Sequence, residues 1–169
     1  MRNVAIAILM VCLAGFSLMA AEVPLAGQAA PTFTLPSQDG TSIGLNQFHG
    51  KWVVLYFYPQ DMTQGCTIEA HNFQQDLAKF DQRNAVILGV SVDSTDSHQQ
   101  FCTKESLTFR LLSDTGKKVV DEYGSLRPNG MAARNTFLID PTGKIVKVWT
   151  GVNPAHHSEE VLAALDSMK

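Results

Sequence analysis

Cysteine is scarce in this chain: three residues in 169, at positions 12, 66 and 102, with no C-x-x-C pair among them. A redox dithiol closed within one helical turn is therefore excluded. A basic excess is lacking as well. Thirteen Lys and Arg against sixteen Asp and Glu leave a net charge of −3, which offers no electrostatic footprint for nucleic acid or an anionic membrane. After residue 25 there is no apolar run of the ~20 residues that a helical bilayer span requires. Internal repeats and low-complexity tracts are missing too, and no lysine or arginine occurs between Lys51 and Lys79. What is present is a length suited to one domain and an apolar content of 45%, enough for a real core.

The first residues, "MRNVAIAILMVCLAGFSLMAAEV", have a different character: one positive charge at Arg2, an apolar stretch from Val4 to Met19, then small residues. That layout predicts a secretory signal over 1–21, cleaved after Ala20 or Ala21, and a single domain over 22–169. An uncleaved anchor fits less well, because no charged stop follows the apolar run. Val11 before Cys12 argues against lipid attachment there. The expectation is export, to a bacterial periplasm, with no stable membrane association after cleavage. Cleavage leaves Cys66 and Cys102, and in an oxidising compartment the plain expectation for two such thiols is a structural disulfide.

Along the rest of the chain, "TFTLPSQDGTSIGL" alternates around Asp39-Gly40 and predicts a hairpin. "KWVVLYFYP" and "AVILGVSVD" are continuous apolar runs, as expected of buried strands. Between them Cys66, Ala70, Phe73, Leu77 and Phe80 fall at alternating steps of four and three, predicting one helix from Cys66 to Gln82. "STDSHQQFCTKESL" predicts a helix capped at Ser94 or Thr95 with Asp96 in its first turn. A short helix over Lys117–Tyr123, a hairpin turned at Asp140-Pro141-Thr142-Gly143 and a closing helix over His157–Met168 complete the pattern. Strand, helix, strand, helix, hairpin and helix imply a mixed sheet with helices on both faces and a right-handed crossover, an α/β thioredoxin-like fold.

The stretch "YFYPQDMTQGCTIEAHNF" sets one of the few thiols at the start of a helix. A thiol reacts as its thiolate, and an ordinary pKa of about 8.5 leaves little of that form at neutral pH. The unpaired first-turn amides of a helix favour the anion. Gly65 allows close approach, and a cation would have to arrive from a distant part of the chain. Periodicity alone leaves a plain core cysteine and a reactive one equally open.

Pro59-x-x-x-Thr63-x-x-Cys66 after an aromatic strand resembles the active-site signature of the peroxiredoxins, and "YFYP…T-x-G-C-T-x-E-A" is similar to their Q-type, or bacterioferritin-comigratory-protein, branch. "APTFTLPSQDG", "GVSVDS", "LLSDTG", "ARNTFLIDPTGKI" and "SEEVLAAL" follow in that family's order, so the resemblance spans nearly everything after the signal. It implies a thiol-dependent peroxidase acting on hydrogen peroxide and organic hydroperoxides. Cys66 would be the peroxidatic thiolate, Thr63 would offer its hydroxyl to peroxide or thiolate, and Pro59 would shield the site. Arg134 would be the distant cation, and Glu69 would orient it. The resemblance further implies no metal or haem, a thioredoxin-like protein as reductant, and a monomer. Many members of the branch carry a second cysteine five residues after the first, where this chain has His71. A less common variant carries it on the next long helix, and Cys102 matches that position as the resolving thiol. With Phe101 pointing inward, Cys102 is expected to be half-exposed. Joining two helices through a disulfide then requires part of one to unwind.

Two alternatives stand beside this. One is a one-cysteine peroxidase reduced by an external thiol. The other is an exported, non-enzymatic domain of the same fold stapled by Cys66–Cys102. Cys66, His71, His98 and Cys102 make a nominal zinc set, but the five-residue spacing of the first two opposes chelation, so no metal site is assigned. His156 and His157 are expected to be solvated.

Overall fold

The computed structural model describes residues 21–168, so residues 1–20 of the proposed signal segment lie outside the described residues. Strands β1 (Thr34–Pro36) and β2 (Ser42–Gly44) form the expected antiparallel hairpin. The main sheet contains β3 (Trp52–Phe57), β4 (Ala85–Ser91), β5 (Arg110–Ser113), β6 (Thr136–Ile139) and β7 (Ile145–Trp149), in the order β5-β4-β3-β6-β7. β3, β4 and β5 run parallel, while β6 and β7 are antiparallel to their neighbours, so the sheet is mixed. The helices are α1 (Gln64–Gln75), α2 (Leu77–Asp81), α3 (Thr95–Glu105), α4 (Lys118–Glu122) and α5 (His157–Ser167).

Alternation along β3 sorts the core into two layers. Val54, Tyr56 and Tyr58 pack with residues of α1, α2, α3 and α5, whereas Val53, Leu55 and Phe57 pack with the β1–β2 hairpin and α4. Both faces are thus covered, which is why β3 reads as a continuous apolar run. Gly89 keeps the first layer tight: a Cβ there would come within 2.8 Å of the Tyr56 ring and 2.6 Å of Leu111.

Four expectations need correction. The helix expected over 66–82 starts at Gln64 and breaks at Asp76, whose ψ of 2° leaves the helical range and whose carboxylate accepts from Lys79 and from Ser158 of α5. The apolar stripe is still seated, with Phe73 and Phe80 fully buried. β5 was not expected, because its four residues show no alternation to betray a strand. His157 is not solvated. It is fully buried on the inner face of α5, with Nε2 2.8 Å from Thr136 Oγ1 and its ring edge-on to Phe73 and Trp149. Burial pushes its pKa down to about 4, so it is neutral.

The fourth correction concerns Cys102, which is 8% exposed rather than half-exposed. His98, Phe101 and Cys102 stand at i, i+3 and i+4, and all three are buried. The inner stripe of α3 is wide enough to include the cysteine as well as the phenylalanine beside it.

Candidate active site

The chain leaves β3 through Tyr58 and Pro59 and enters α1 with Thr63 at the N-cap position. Thr63 does not cap with its side chain. Its hydroxyl donates to the Gln60 carbonyl at 3.0 Å, and the residue is exposed at the mouth of the loop. Pro59 is half-buried beside it. Cys66 occupies the third helical position, where the backbone N–H has no intrahelical acceptor, and is only 2% exposed. Its sulfur therefore faces the positive end of α1 from within a largely dry site.

The cation absent from this part of the sequence arrives from the segment before β6. Arg134 Nη2 donates to Cys66 Sγ at 3.3 Å, while Nη1 donates to Glu69 Oε2. A guanidinium presents several donors in a fixed plane, so one group can serve both partners. Glu69, one turn after Cys66, is 1% exposed, and its Oε1 has no protein partner. Burial pushes the Glu69 carboxyl up to about 7 against the pull of Arg134. Burial also works against the charge of Arg134, but Glu69 and Cys66 outweigh it and hold the guanidinium above its ordinary pKa. Gly65 has a specific steric role here, since a Cβ at that position would stand 3.2 Å from Arg134 Nη2.

This arrangement makes Arg134→Lys a sharp test of the fork. Lysine keeps the charge but cannot hold sulfur and carboxylate in one plane, so the second-order rate at which Cys66 reacts with peroxide, the substrate the resemblance implies, should fall about tenfold. Rapid mixing of the reduced variant with peroxide measures it, and an unchanged rate would reduce Arg134 to a bare charge.

Cys102 shares an apolar cluster with Cys66 and Tyr56. Burial first, then Glu69, Cys66 and Cys102, hold the Tyr56 phenol well above its ordinary pKa, so Tyr56 is a neutral wall near both thiols. Cys102 itself is pushed up to about 11, chiefly by burial and then by the charge of Asp61. In this conformation it is a thiol rather than a nucleophile. His71 lies within ion-pair distance of Glu105 at the far end of α3, Nε2 to Oε2 2.9 Å.

One cluster escaped the sequence. Asp61, in the loop between Pro59 and Thr63, accepts from Tyr58 Oη at 2.7 Å and from Ser97 Oγ at 2.6 Å, and its Oδ2 lies 2.8 Å from His98 Nδ1. Burial tends to raise its pKa, but His98, Ser97 and Tyr58 prevail and hold it below the ordinary value. His98 therefore faces the loop rather than joining Cys102 and His71 around a metal. An aspartate in a turn and a histidine in a polar helix are ordinary residues, and no spacing marked them as partners.

Comparison with known proteins gives a consistent outcome. The AhpC/TSA family model matches residues 26–148. The chain is 41% identical over 146 residues to a putative peroxiredoxin bcp of Coxiella burnetii, covering 82% of this chain and 97% of the relative. It is 40% identical over 150 residues to peroxiredoxin Bcp of Bacillus subtilis, covering 84% and 95%. Among solved structures it is similar to the bacterioferritin comigratory protein of Xanthomonas campestris, studied for alkyl peroxide reduction, with a TM-score of 0.77, 37% identity and coverage of 80% and 91%. It is also similar to peroxidoxin BcpB of Mycobacterium tuberculosis, with a TM-score of 0.80, 31% identity and coverage of 85% and 97%.

Proposed function

The chain belongs to the AhpC/TSA family, in its Bcp and peroxiredoxin Q branch, and is a thiol-dependent peroxidase; from that premise we propose that Cys66 is its peroxidatic thiol and Cys102 its resolving thiol. The observation that carries the assignment of Cys66 is the donor from Arg134, sixty-eight residues away in sequence, seated 3.3 Å from its sulfur. A structural cysteine in an apolar core needs no guanidinium.

In the first step the Cys66 thiolate attacks the terminal oxygen of a hydroperoxide. An S–O bond forms, the O–O bond breaks, and the alkoxide or hydroxide leaves and takes up a proton. Cys66 is oxidised to sulfenic acid while the peroxide is reduced to an alcohol or water. Arg134 and the α1 amides face both the thiolate and the charge that develops on the leaving oxygen. The Thr63 oxygen retains lone pairs that can accept from the protonated end of the peroxide, and Pro59 brings no N–H to compete.

In the second step the sulfur of Cys102 attacks Cys66–SOH. The S–S bond forms, the S–O bond breaks, and the departing hydroxide combines with the Cys102 proton as water. A dithiol protein of the thioredoxin type then reduces the disulfide and becomes oxidised itself. The N-terminal segment supports export to a periplasm, where such a donor must be an exported one, and the monomeric state is carried over from the branch.

Supplying purified protein with a thioredoxin-type dithiol and either hydrogen peroxide or an organic hydroperoxide tests this cycle. Peroxide-dependent oxidation of the donor is expected with both substrates. Consumption of peroxide without donor oxidation by a protein dithiol, but with a small external thiol, would replace the two-cysteine cycle by a one-cysteine one.

A further inference from the structure

The resolving step starts from two buried thiols held on different helices. Cys102 is buried within the helical part of α3, and a disulfide requires the two Cα atoms within roughly 7 Å in a suitable orientation. Something must keep α3 folded while Cys66 is reduced and let it go afterwards. At its far end α3 is tied to α1 by Glu105 and His71. At its first turn it is tied to the loop before Cys66 by a buried pair.

His98 is fully buried. Its Nε2 faces the Leu112 carbonyl at 3.1 Å, which can only accept, so Nε2 carries a proton. Its Nδ1 faces Asp61 Oδ2 at 2.8 Å, and the Asp61 carboxylate is also held by Ser97 and Tyr58. A second proton must lie between Nδ1 and Asp61, because otherwise two lone pairs would oppose each other. The link is therefore a charge-assisted or shared-proton hydrogen bond in a dry site. The Asp61 backbone N–H is committed as well, donating to Asp93 Oδ2 at 2.9 Å, and Asp93 accepts from Ser91 Oγ at 2.7 Å.

We propose that the Asp61–His98 pair is the latch of the resolving step, holding the first turn of α3 to the peroxidatic loop until Cys66 is oxidised. The proposal rests on the two-cysteine cycle. Asp61 stands five residues before Cys66, and His98 one helical turn before Cys102, so the pair spans the two halves of the reaction. Oxidation places an extra oxygen on a sulfur that is 2% exposed, and the segment around it must shift. That segment already holds strain: Met62, next to Asp61, has φ +59°, a left-handed conformation unusual for a side chain of its kind. Movement there withdraws Asp61, the first turn of α3 loses its anchor, and Cys102 becomes free to leave the core. Asp61 and His98 are positioning residues in this scheme and touch neither peroxide nor sulfur.

Rapid mixing of reduced protein with one equivalent of hydrogen peroxide separates sulfenic acid formation from disulfide formation. In His98→Asn the disulfide phase should be about tenfold faster than in the unaltered protein, the equivalent of one charge-assisted hydrogen bond lost. The sulfenic acid phase should keep its rate. Asp61→Asn should accelerate the disulfide phase similarly, and the double variant should be no faster than either single one, since both remove one latch. Ser97→Ala removes a single bond to the same carboxylate and, as the mildest change, should give a smaller acceleration even if the others fold poorly. A normal disulfide in the unaltered protein with unchanged or slower disulfide phases in the variants would overturn the latch alone. Absence of the Cys66–Cys102 disulfide in the unaltered protein would overturn the two-cysteine cycle, and the latch with it.

Discussion

Cys66→Ser is expected to reduce peroxide consumption to the uncatalysed background, a loss of roughly a thousandfold or more. The replacement is nearly isosteric and leaves Arg134, Glu69 and the start of α1 in place. What disappears is the nucleophile. A serine hydroxyl does not ionise near neutral pH and is far less polarizable than sulfur, so the same positive environment has no thiolate to hold. The fold should survive, because the change removes little volume from a cluster that contains Tyr56, Phe73 and Phe101. Loss of peroxide consumption with an unchanged circular dichroism spectrum is the expected result. Retained turnover would move the chemistry away from Cys66 altogether.

Cys102→Ser has an equally large consequence in a different observable. The first step does not involve Cys102, so the reduced variant should consume one equivalent of peroxide at the normal rate and then stop. A thioredoxin-type donor should fail to restart it, because there is no disulfide to exchange, and steady-state turnover should fall roughly a hundredfold or more. The sulfenic acid should persist long enough to be trapped, and excess peroxide should carry it to sulfinic acid. Trapping followed by peptide mass analysis reads both outcomes. Unimpaired recycling would mean that Cys102 is a core residue and that Cys66 is reduced directly from outside.

These two thiols also mark how far the sequence was legible. Pro59, Thr63 and Cys66 lie within one short stretch, so their juxtaposition needs only a strand end and a helix start, and the pattern of apolar residues supplied both. Arg134 was different. Nothing local to it distinguishes it from a surface arginine, and only its resemblance to a known pattern suggested a role. The folded chain brings it to the sulfur because β6 lies beside β3, an antiparallel pairing over Val53–Tyr56 and Thr136–Ile139. Glu69 was legible only through the resemblance, as the group that orients Arg134; its place in the second turn of α1 and its burial were not.

The burial of Cys102 was misjudged for a physical reason. Taking Phe101 as the centre of the inner stripe turns Cys102 outward by about 100°, whereas the stripe runs His98, Phe101, Cys102 and seats the cysteine beside the phenylalanine. The histidine was weighed only as a member of a nominal zinc set, yet it is fully buried with Asp61 against its Nδ1. That partner lies thirty-seven residues earlier in a loop, and such a pairing leaves no periodic trace. Polar pairs of this kind, fixed by tertiary structure alone, are where a sequence is least informative and where the inferred latch resides.

The most direct measurement takes the fully reduced protein, adds one equivalent of hydrogen peroxide by rapid mixing, and identifies the oxidised sulfurs by peptide mass at successive times. Sulfenic acid at Cys66 first, followed by a Cys66–Cys102 disulfide with release of water, is the predicted sequence. Slow, unselective oxidation of both thiols would contradict it and return Cys66 to the role of a core residue.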